Sequence, residues 1–200
     1  MKKYGFWIVI SAVVLFGGLY GLFGLKPYVL RGSVIDPPIP APPFTLTDQN
    51  GSNFSLSDHY GKVVIMFFGY TYCPDVCPTA LYEMKSIKKR LNSKEENVEF
   101  VFITVDPQRD TTDQLKRYLA SYDESFWGLT SDENKLNEVW KNYGVFRQVQ
   151  DEGKVSGYLV DHSARLYVIN PKGELLMTYT SDASVDDIVS DIAYLIKQGK

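Results

Sequence analysis

The chain has two cysteines, Cys73 and Cys77, and both fall in the segment GYTYCPDVCPTALYEM, residues 69–84. Three residues separate them, and a proline follows each. Two thiols so close support more than one chemistry. A structural disulfide between them would close a very small loop and constrain little of the unfolded chain. A reversible dithiol–disulfide exchange would use the same sulfurs to move electrons. A soft metal ion would be held by two thiolates, and a nitrogen donor would enlarge the set. A structural zinc site is poorly supplied, because two cysteines and two histidines offer no second ligand pair at the usual spacing.

Positions i and i+4 of a helix share a face, so a helical CxxxC can point both sulfurs at one ion. Two thiolates with an imidazole favour Cu(I), and the same set accepts Cu(II). Two imidazoles are candidates. His59, in LSDHYGK, precedes an apolar run and reads as a solvent-facing or locally bonded side chain. His162, in YLVDHSARLYVIN, lies between two strand-like segments, and a loop there could bring it over the start of a helix. Four charged residues stand nearby in sequence. Asp75, between the cysteines, reads as a solvated turn acid. Asp161 is a candidate to orient His162, although neighbours on a strand point to opposite faces. Asp106 and Arg109 read as a loop ion pair.

The elements that must position these residues follow from periodicity. KVVIMFF (62–68) and VEFVFITV (98–105) are continuous apolar runs, as expected of strands buried on both faces. Between them Leu81, Met84, Ile87 and Leu91 recur at helical spacing. The cysteines therefore fall after a central strand and at a helix start. There Pro78 suits the first turn, and unpaired N–H groups with the positive helix end stabilise thiolate. Upstream, Asn50-Gly51 marks a hairpin. Downstream, Thr111 and Gln114 suggest a capping box opening a helix with Leu115, Tyr118, Leu119 and Tyr122 on one face. Another short helix carries Leu136, Val139 and Trp140. Residues 145–160 read as a hairpin turning at Glu152-Gly153. ARLYVIN and ELLMTYT follow as two strands joined at Pro171-Lys172-Gly173, and Ser184 caps a last amphipathic helix. This order implies an α/β fold with a central mixed sheet and helices on both faces.

Residues 6–25 carry no charge, roughly the length that crosses a ~30 Å hydrocarbon core. The reading is an uncleaved N-terminal membrane anchor over 1–25, a single-pass transmembrane helix. Residues 26–43 read as a tether, because DPPIPAPP has five prolines in eight positions. The folded domain then covers 44–200. Lys2 and Lys3 precede the apolar run while Lys26 and Arg31 follow it, which leans mildly toward an inside N-terminus and an outside domain. The start lacks an Arg/Ser-rich presequence, so the expected setting is a bacterial cytoplasmic membrane. The formal net charge of −3 and the lack of a basic stripe exclude nucleic acid as an expected partner.

FFGYTYCPDVCPTAL, then VDPQRDT, then VDHSARLYVINPKGE, closely resembles the Sco/SenC family of copper chaperones for cytochrome c oxidase assembly, and the likeness runs from about Phe44 to Ile196. The resemblance implies a thioredoxin-like fold with an added β-hairpin, here at 145–160. It implies copper ligands at Cys73, Cys77 and His162, with both Cu(I) and Cu(II) as bound states. It also implies a task, which is to deliver copper to the copper A site of the oxidase or to prepare its thiols. The partners would be the copper A subunit and an upstream copper donor. A thiol–disulfide oxidoreductase using Cys73 and Cys77 as its redox pair is the rival reading, and a copper or redox sensor would use the same residues. Two departures stand out: Tyr72 where many members have histidine, and Thr112 where proline is frequent.

Overall fold

The computed structural model describes residues 7–16, 27–150 and 158–199. The chain divides into two compact units, Met1–Leu30 and Arg31–Lys200. In the first, residues 7–16 are helical (α1) and exposed. Among the described residues no helix is long and apolar enough to cross a membrane. The rest of the expected span, residue 6 and residues 17–25, lies outside the described residues.

The second unit is built on a six-stranded sheet. Its strands are β1 (Ser33–Pro40), β4 (Val63–Gly69), β5 (Val98–Thr104), β6 (Trp127–Leu129), β9 (Arg165–Ile169) and β10 (Glu174–Thr180). They lie side by side in the order β1-β10-β9-β4-β5-β6. β4, β5 and β6 run parallel, while β9, β10 and β1 add antiparallel neighbours. The sheet is therefore mixed, and every residue of β4 is buried, as its unbroken apolar run predicts.

Helices α2 (Val76–Leu91), α3 (Thr112–Ala120), α4 (Glu133–Asn142) and α5 (Val185–Gln198) complete the unit. Adjacent strand residues face opposite sides, and Phe67 and Phe68 show where each side goes. Phe67 pairs in register with Phe102, whose ring meets Tyr118 of α3. Phe68 instead meets Tyr143, at the C-terminal end of α4, and Tyr167 of β9. Helices thus cover both faces. Most of each expected helical stripe is buried: Leu81, Met84, Ile87 and Leu91 on α2, Leu115, Leu119 and Tyr122 at α3, Leu136, Val139 and Trp140 on α4, and Ile188, Ile192, Leu195 and Ile196 on α5, while Tyr118, Val185 and Val189 are half-buried.

Two hairpins stand apart from the main sheet. β2 (Thr45–Thr47) and β3 (Asn53–Ser55) form one, turning at Gly51 with φ +82°. A carboxylate oxygen of Asp48 accepts the N–H groups of Asn50 and Ser52 there, each at 2.8 Å. β7 (Arg147–Gln150) and β8 (Leu159–His162) form the other. Its expected turn at Glu152-Gly153 lies outside the described residues.

The proline-rich segment read as a tether over 26–43 is corrected here. Residues 33–40 are an edge strand paired with β10, so the domain begins at Arg31 rather than Phe44. Polyproline and β backbones are close in φ and ψ, and an edge strand needs only part of its N–H groups for pairing. Pro37 and Pro38 are accommodated where the register breaks between Val34 and Ile39, and Pro40 is the last residue of the strand. β6, only three residues long, carries too little pattern to be seen in the sequence.

Candidate metal centre

The loop after β4 turns at Tyr70, whose carbonyl accepts the N–H of Cys73 at 3.2 Å. α2 starts three residues after that cysteine, with Asp75 as N-cap and Cys77 in its first turn. Only Cys77 is helical, so a turn and a helix start, rather than one helical turn, bring the sulfurs together. Pro78 is the third residue of α2, among the positions whose N–H has no intrahelical partner. Both thiols are free, Cys77 wholly buried and Cys73 9% exposed. Gly69, the last residue of β4, makes the fit possible. A Cβ there would stand 2.8 Å from Cys77 Sγ.

His162 arrives from another element. It ends β8, opposite Arg147, so the hairpin expected over 145–160 extends far enough to carry the imidazole. Its Nε2 lies 3.4 Å from Cys77 Sγ. The donor atoms of Cys73, Cys77 and His162 all lie within 4.8 Å of one another, the one such group among the described residues. The imidazole is held edge-on by Phe67 and Tyr70, at ring-centre distances of 6.0 and 5.8 Å. Its Nδ1 stands 3.2 Å from the carbonyl of Ser163. A carbonyl only accepts, so Nδ1 is the nitrogen that carries the hydrogen in the neutral ring, which leaves Nε2 on the side of the sulfurs.

The two sulfurs differ electrostatically. The Cys73 thiol is pulled well below its ordinary value, first by the hydrogen bond from Cys77 and then, against the effect of burial, by His162 and by the backbone N–H groups of Asp75 and Cys77. The Cys77 thiol is pushed up by burial and by the neighbouring Cys73 sulfur. The pair is therefore asymmetric, Cys73 the more acidic sulfur and Cys77 the less, and a metal ion held by both would displace the proton of Cys77.

The loop between β5 and α3 supports this centre in a way the motif alone did not explain. Asp110 is fully buried and accepts from Thr71, two residues before Cys73, and from the Thr104 hydroxyl at 2.7 Å. Thr111 does cap α3, accepting the Gln114 N–H at 3.2 Å. The Gln114 side chain does not complete a capping box, however, and donates to Thr71 Oγ1 at 3.1 Å. Asp106 and Arg109 form the expected ion pair. Arg109 also donates to the Tyr158 carbonyl at 2.9 Å and lies over the rings of Tyr158 and Tyr72, 3.7 and 4.9 Å from their centres. Sequence reading missed Asp110, Thr71 and Tyr158, because none has a type or spacing that points to the cysteines.

The other candidates lie elsewhere. Asp161 is exposed and accepts from Gln150 Nε2 at 2.8 Å, away from His162. The Asp75 side chain is exposed and makes no cap. His59 precedes β4, at the opposite end of that strand from the cysteines, roughly 20 Å away at strand rise. It stacks on Phe54 at 4.2 Å and meets Glu99 at 3.3 Å.

An α/β sheet with a dithiol at a strand-to-helix junction, and an imidazole brought in by an added hairpin, defines a thioredoxin-like protein with a three-donor site. The SCO1/SenC family model matches residues 35–197, and the chain belongs to that family. An SCO2-like protein of Rickettsia prowazekii is 33% identical over 188 residues, 91% of this chain and 92% of its own length. The structure of Bradyrhizobium japonicum ScoI with copper bound is 33% identical and superposes with a TM-score of 0.72, over 78% of this chain and 98% of that one. BsSco, described as carrying a disulfide switch and as a member of the Sco family of cytochrome c oxidase assembly proteins, is 26% identical with a TM-score of 0.67, over 84% of this chain and 98% of its own.

Proposed function

We propose that this chain binds copper through Cys73 Sγ, Cys77 Sγ and His162 Nε2, and that it serves cytochrome c oxidase assembly by delivering copper to the copper A site. One observation carries the reading: three donor atoms from three separate elements converge within 4.8 Å. A thiol exchanger needs two sulfurs and no imidazole, whereas a site for both oxidation states of copper gains from the nitrogen. Two thiolates alone hold Cu(I), while Cu(II) prefers added nitrogen or oxygen donors. Copper found in a structure as similar as that of Bradyrhizobium japonicum ScoI supports the assignment.

Residues 6–25 would anchor the chain in a bacterial cytoplasmic membrane, with the domain on the outer side. The copper A subunit of the oxidase would receive the metal there, and a separate carrier would supply it. A second reading is thiol–disulfide exchange with the oxidase cysteines. It is favoured by the asymmetry of the pair, since Cys73 is poised as thiolate while Cys77 is a buried thiol.

The test is anaerobic copper titration of the reduced chain, with and without His162→Ala. The variant is expected to keep measurable Cu(I) affinity, to lose most Cu(II) binding, and to fail in oxidase maturation in cells. Normal maturation by the variant would replace copper delivery with thiol reduction as the reading.

A further inference from the structure

The imidazole and the sulfurs stand on different frameworks. Cys73 and Cys77 follow β4 in the main sheet, while His162 ends a two-stranded hairpin that, among the described residues, has no ladder to that sheet. Two-stranded hairpins are marginal alone, so cross-ties must set where the imidazole stands. One tie comes from the residue directly opposite His162 in the hairpin register, Arg147.

Arg147 Nε donates to the carbonyl of Val105 at 2.7 Å. The guanidinium lies 4.9 Å from the centre of the Trp140 ring, and Nη1 is 3.5 Å from Glu133 Oε1. Trp140 is itself fixed, donating its Nε1–H to the carbonyl of Thr104 at 3.1 Å. The N–H of Val105 donates to the carbonyl of Gly69 at 2.8 Å. Gly69 is the residue against which Cys77 Sγ is packed. A continuous path of backbone and guanidinium contacts thus runs from the Cys77 sulfur through Gly69, Val105 and Arg147 to the strand pair that holds His162.

We propose that Arg147 is a positioning residue that sets His162 against the two sulfurs, and that it thereby governs how strongly the site holds Cu(II) relative to Cu(I). The inference rests on the copper-ligand reading given above. Its physical basis is the planar fork. A guanidinium can stack on Trp140, donate to Val105 and stand as an ion pair beside Glu133 from one fixed geometry, which a lysine ammonium cannot reproduce. Two thiolates suffice for Cu(I), so a loosened hairpin should leave Cu(I) in place and weaken the state that needs nitrogen.

The experiment compares wild type, Arg147→Met, Arg147→Lys and His162→Ala as full chains. Cu(II) binding is read from the sulfur-to-copper absorption band and its spin-resonance signature. Cu(I) is read by competition with a chromophoric chelator, and folding by circular dichroism. Arg147→Met is expected to lose about tenfold or more in Cu(II) affinity, the scale of residues that orient a metal ligand, with Cu(I) affinity within about twofold of wild type. Arg147→Lys, which keeps the charge but not the planar fork, is expected to recover only part of the loss. It also carries the test should the methionine variant fold poorly. Combined with His162→Ala, Arg147→Met should add no further loss of Cu(II). The proposal is overturned if Arg147→Met leaves Cu(II) unchanged, if both oxidation states weaken equally, or if lysine restores binding in full, since charge alone would then explain the effect. Intact Cu(II) binding by His162→Ala would instead bring down the ligand reading itself, a result seen in a different arm of the same comparison.

Discussion

The carboxylate of Asp110 accepts the backbone N–H of Thr71 at 3.1 Å and the Thr71 hydroxyl at 2.7 Å, joining the loop after β5 to the loop that leads into Cys73. Its hydrogen-bond partners, Thr71 and Thr104, both donate. The Thr104 hydroxyl accepts the N–H of Asp106, so its own hydrogen is free for Asp110. An asparagine here would place an amide donor against donors. The buried carboxyl group thus ties the dithiol loop to the loop after β5.

That arrangement gives a pH signature. Burial pushes the Asp110 carboxyl up to about 6, against the Thr71 and Thr104 hydrogen bonds that pull it down. Between its ordinary value of 3.8 and about 6 the native state holds more protons at this site than the unfolded chain. The stabilising contribution is therefore full below that window and is lost as pH rises through it. Two pKa units correspond to about 3 kcal/mol. Urea unfolding of wild type and Asp110→Asn across this range should show the wild-type stability falling relative to the variant as pH rises. Parallel profiles would mean that Asp110 does not titrate differently on folding.

The asymmetry of the sulfurs sets their reactivity. Only the thiolate is a nucleophile, and Cys73 is both the more acidic and the less buried. Iodoacetamide at neutral pH should label Cys73 before Cys77, by about tenfold or more. Peptide mass mapping at partial modification reads the ratio. Equal labelling would contradict the asymmetry of the pair.

How much of this was legible beforehand depended on the kind of signal. β4 and β5 showed as unbroken apolar runs, and the α2 stripe of Leu81, Met84, Ile87 and Leu91 showed by its period. Cys73, Cys77 and His162 could be named only together, through resemblance, because 85 positions separate His162 from Cys77 and no local pattern links them. β1 was hidden by its prolines, which mark a spacer and an edge strand equally well. The roles of Thr71, Asp110 and Arg147 are set by contacts between segments far apart in the chain, and periodicity says nothing about those.

His59 is the internal control for the metal site. Its ring stacks on Phe54 and meets Trp127 edge-on at 5.6 Å, with Glu99 as its ionic neighbour. His59→Ala removes packing and a partner of a largely buried carboxylate. It should cost about 1–2 kcal/mol of stability. Copper titrations of the folded variant should match wild type in both oxidation states. A loss of copper binding comparable to that of His162→Ala would move the metal site elsewhere.

Gly69→Ala should damage the centre without removing a ligand. The added methyl would stand 2.8 Å from Cys77 Sγ and 2.8 and 2.9 Å from ring atoms of Phe67 and Phe102. All three side chains are buried, so none can swing into solvent. The expected cost is about 1–3 kcal/mol, typical of overpacking. A displaced Cys77 sulfur should weaken Cu(I) as well as Cu(II), unlike the His162 change, and chelator competition checks this. Unaltered Cu(I) affinity in the alanine variant would show that the sulfur has room to spare.

The edge strand β1 sets where the folded domain begins. Asp191 of α5 is fully buried and accepts the N–H of Arg31 at 2.7 Å, the N–H of Gly32 at 3.2 Å and the Tyr179 hydroxyl at 2.6 Å. A chain starting at Phe44 loses both backbone donors, leaving a buried carboxylate short of partners. It also exposes the β10 edge that β1 covers, an invitation to intermolecular strand pairing. A chain starting at Arg31 keeps all of these contacts. The longer chain should be more stable by about 3 kcal/mol or more, given what a buried charge loses when its hydrogen bonds are removed. The shorter one should also aggregate at lower concentration. Urea unfolding and light scattering of the two chains decide the matter. Equal stability would return residues 31–43 to the role of a spacer.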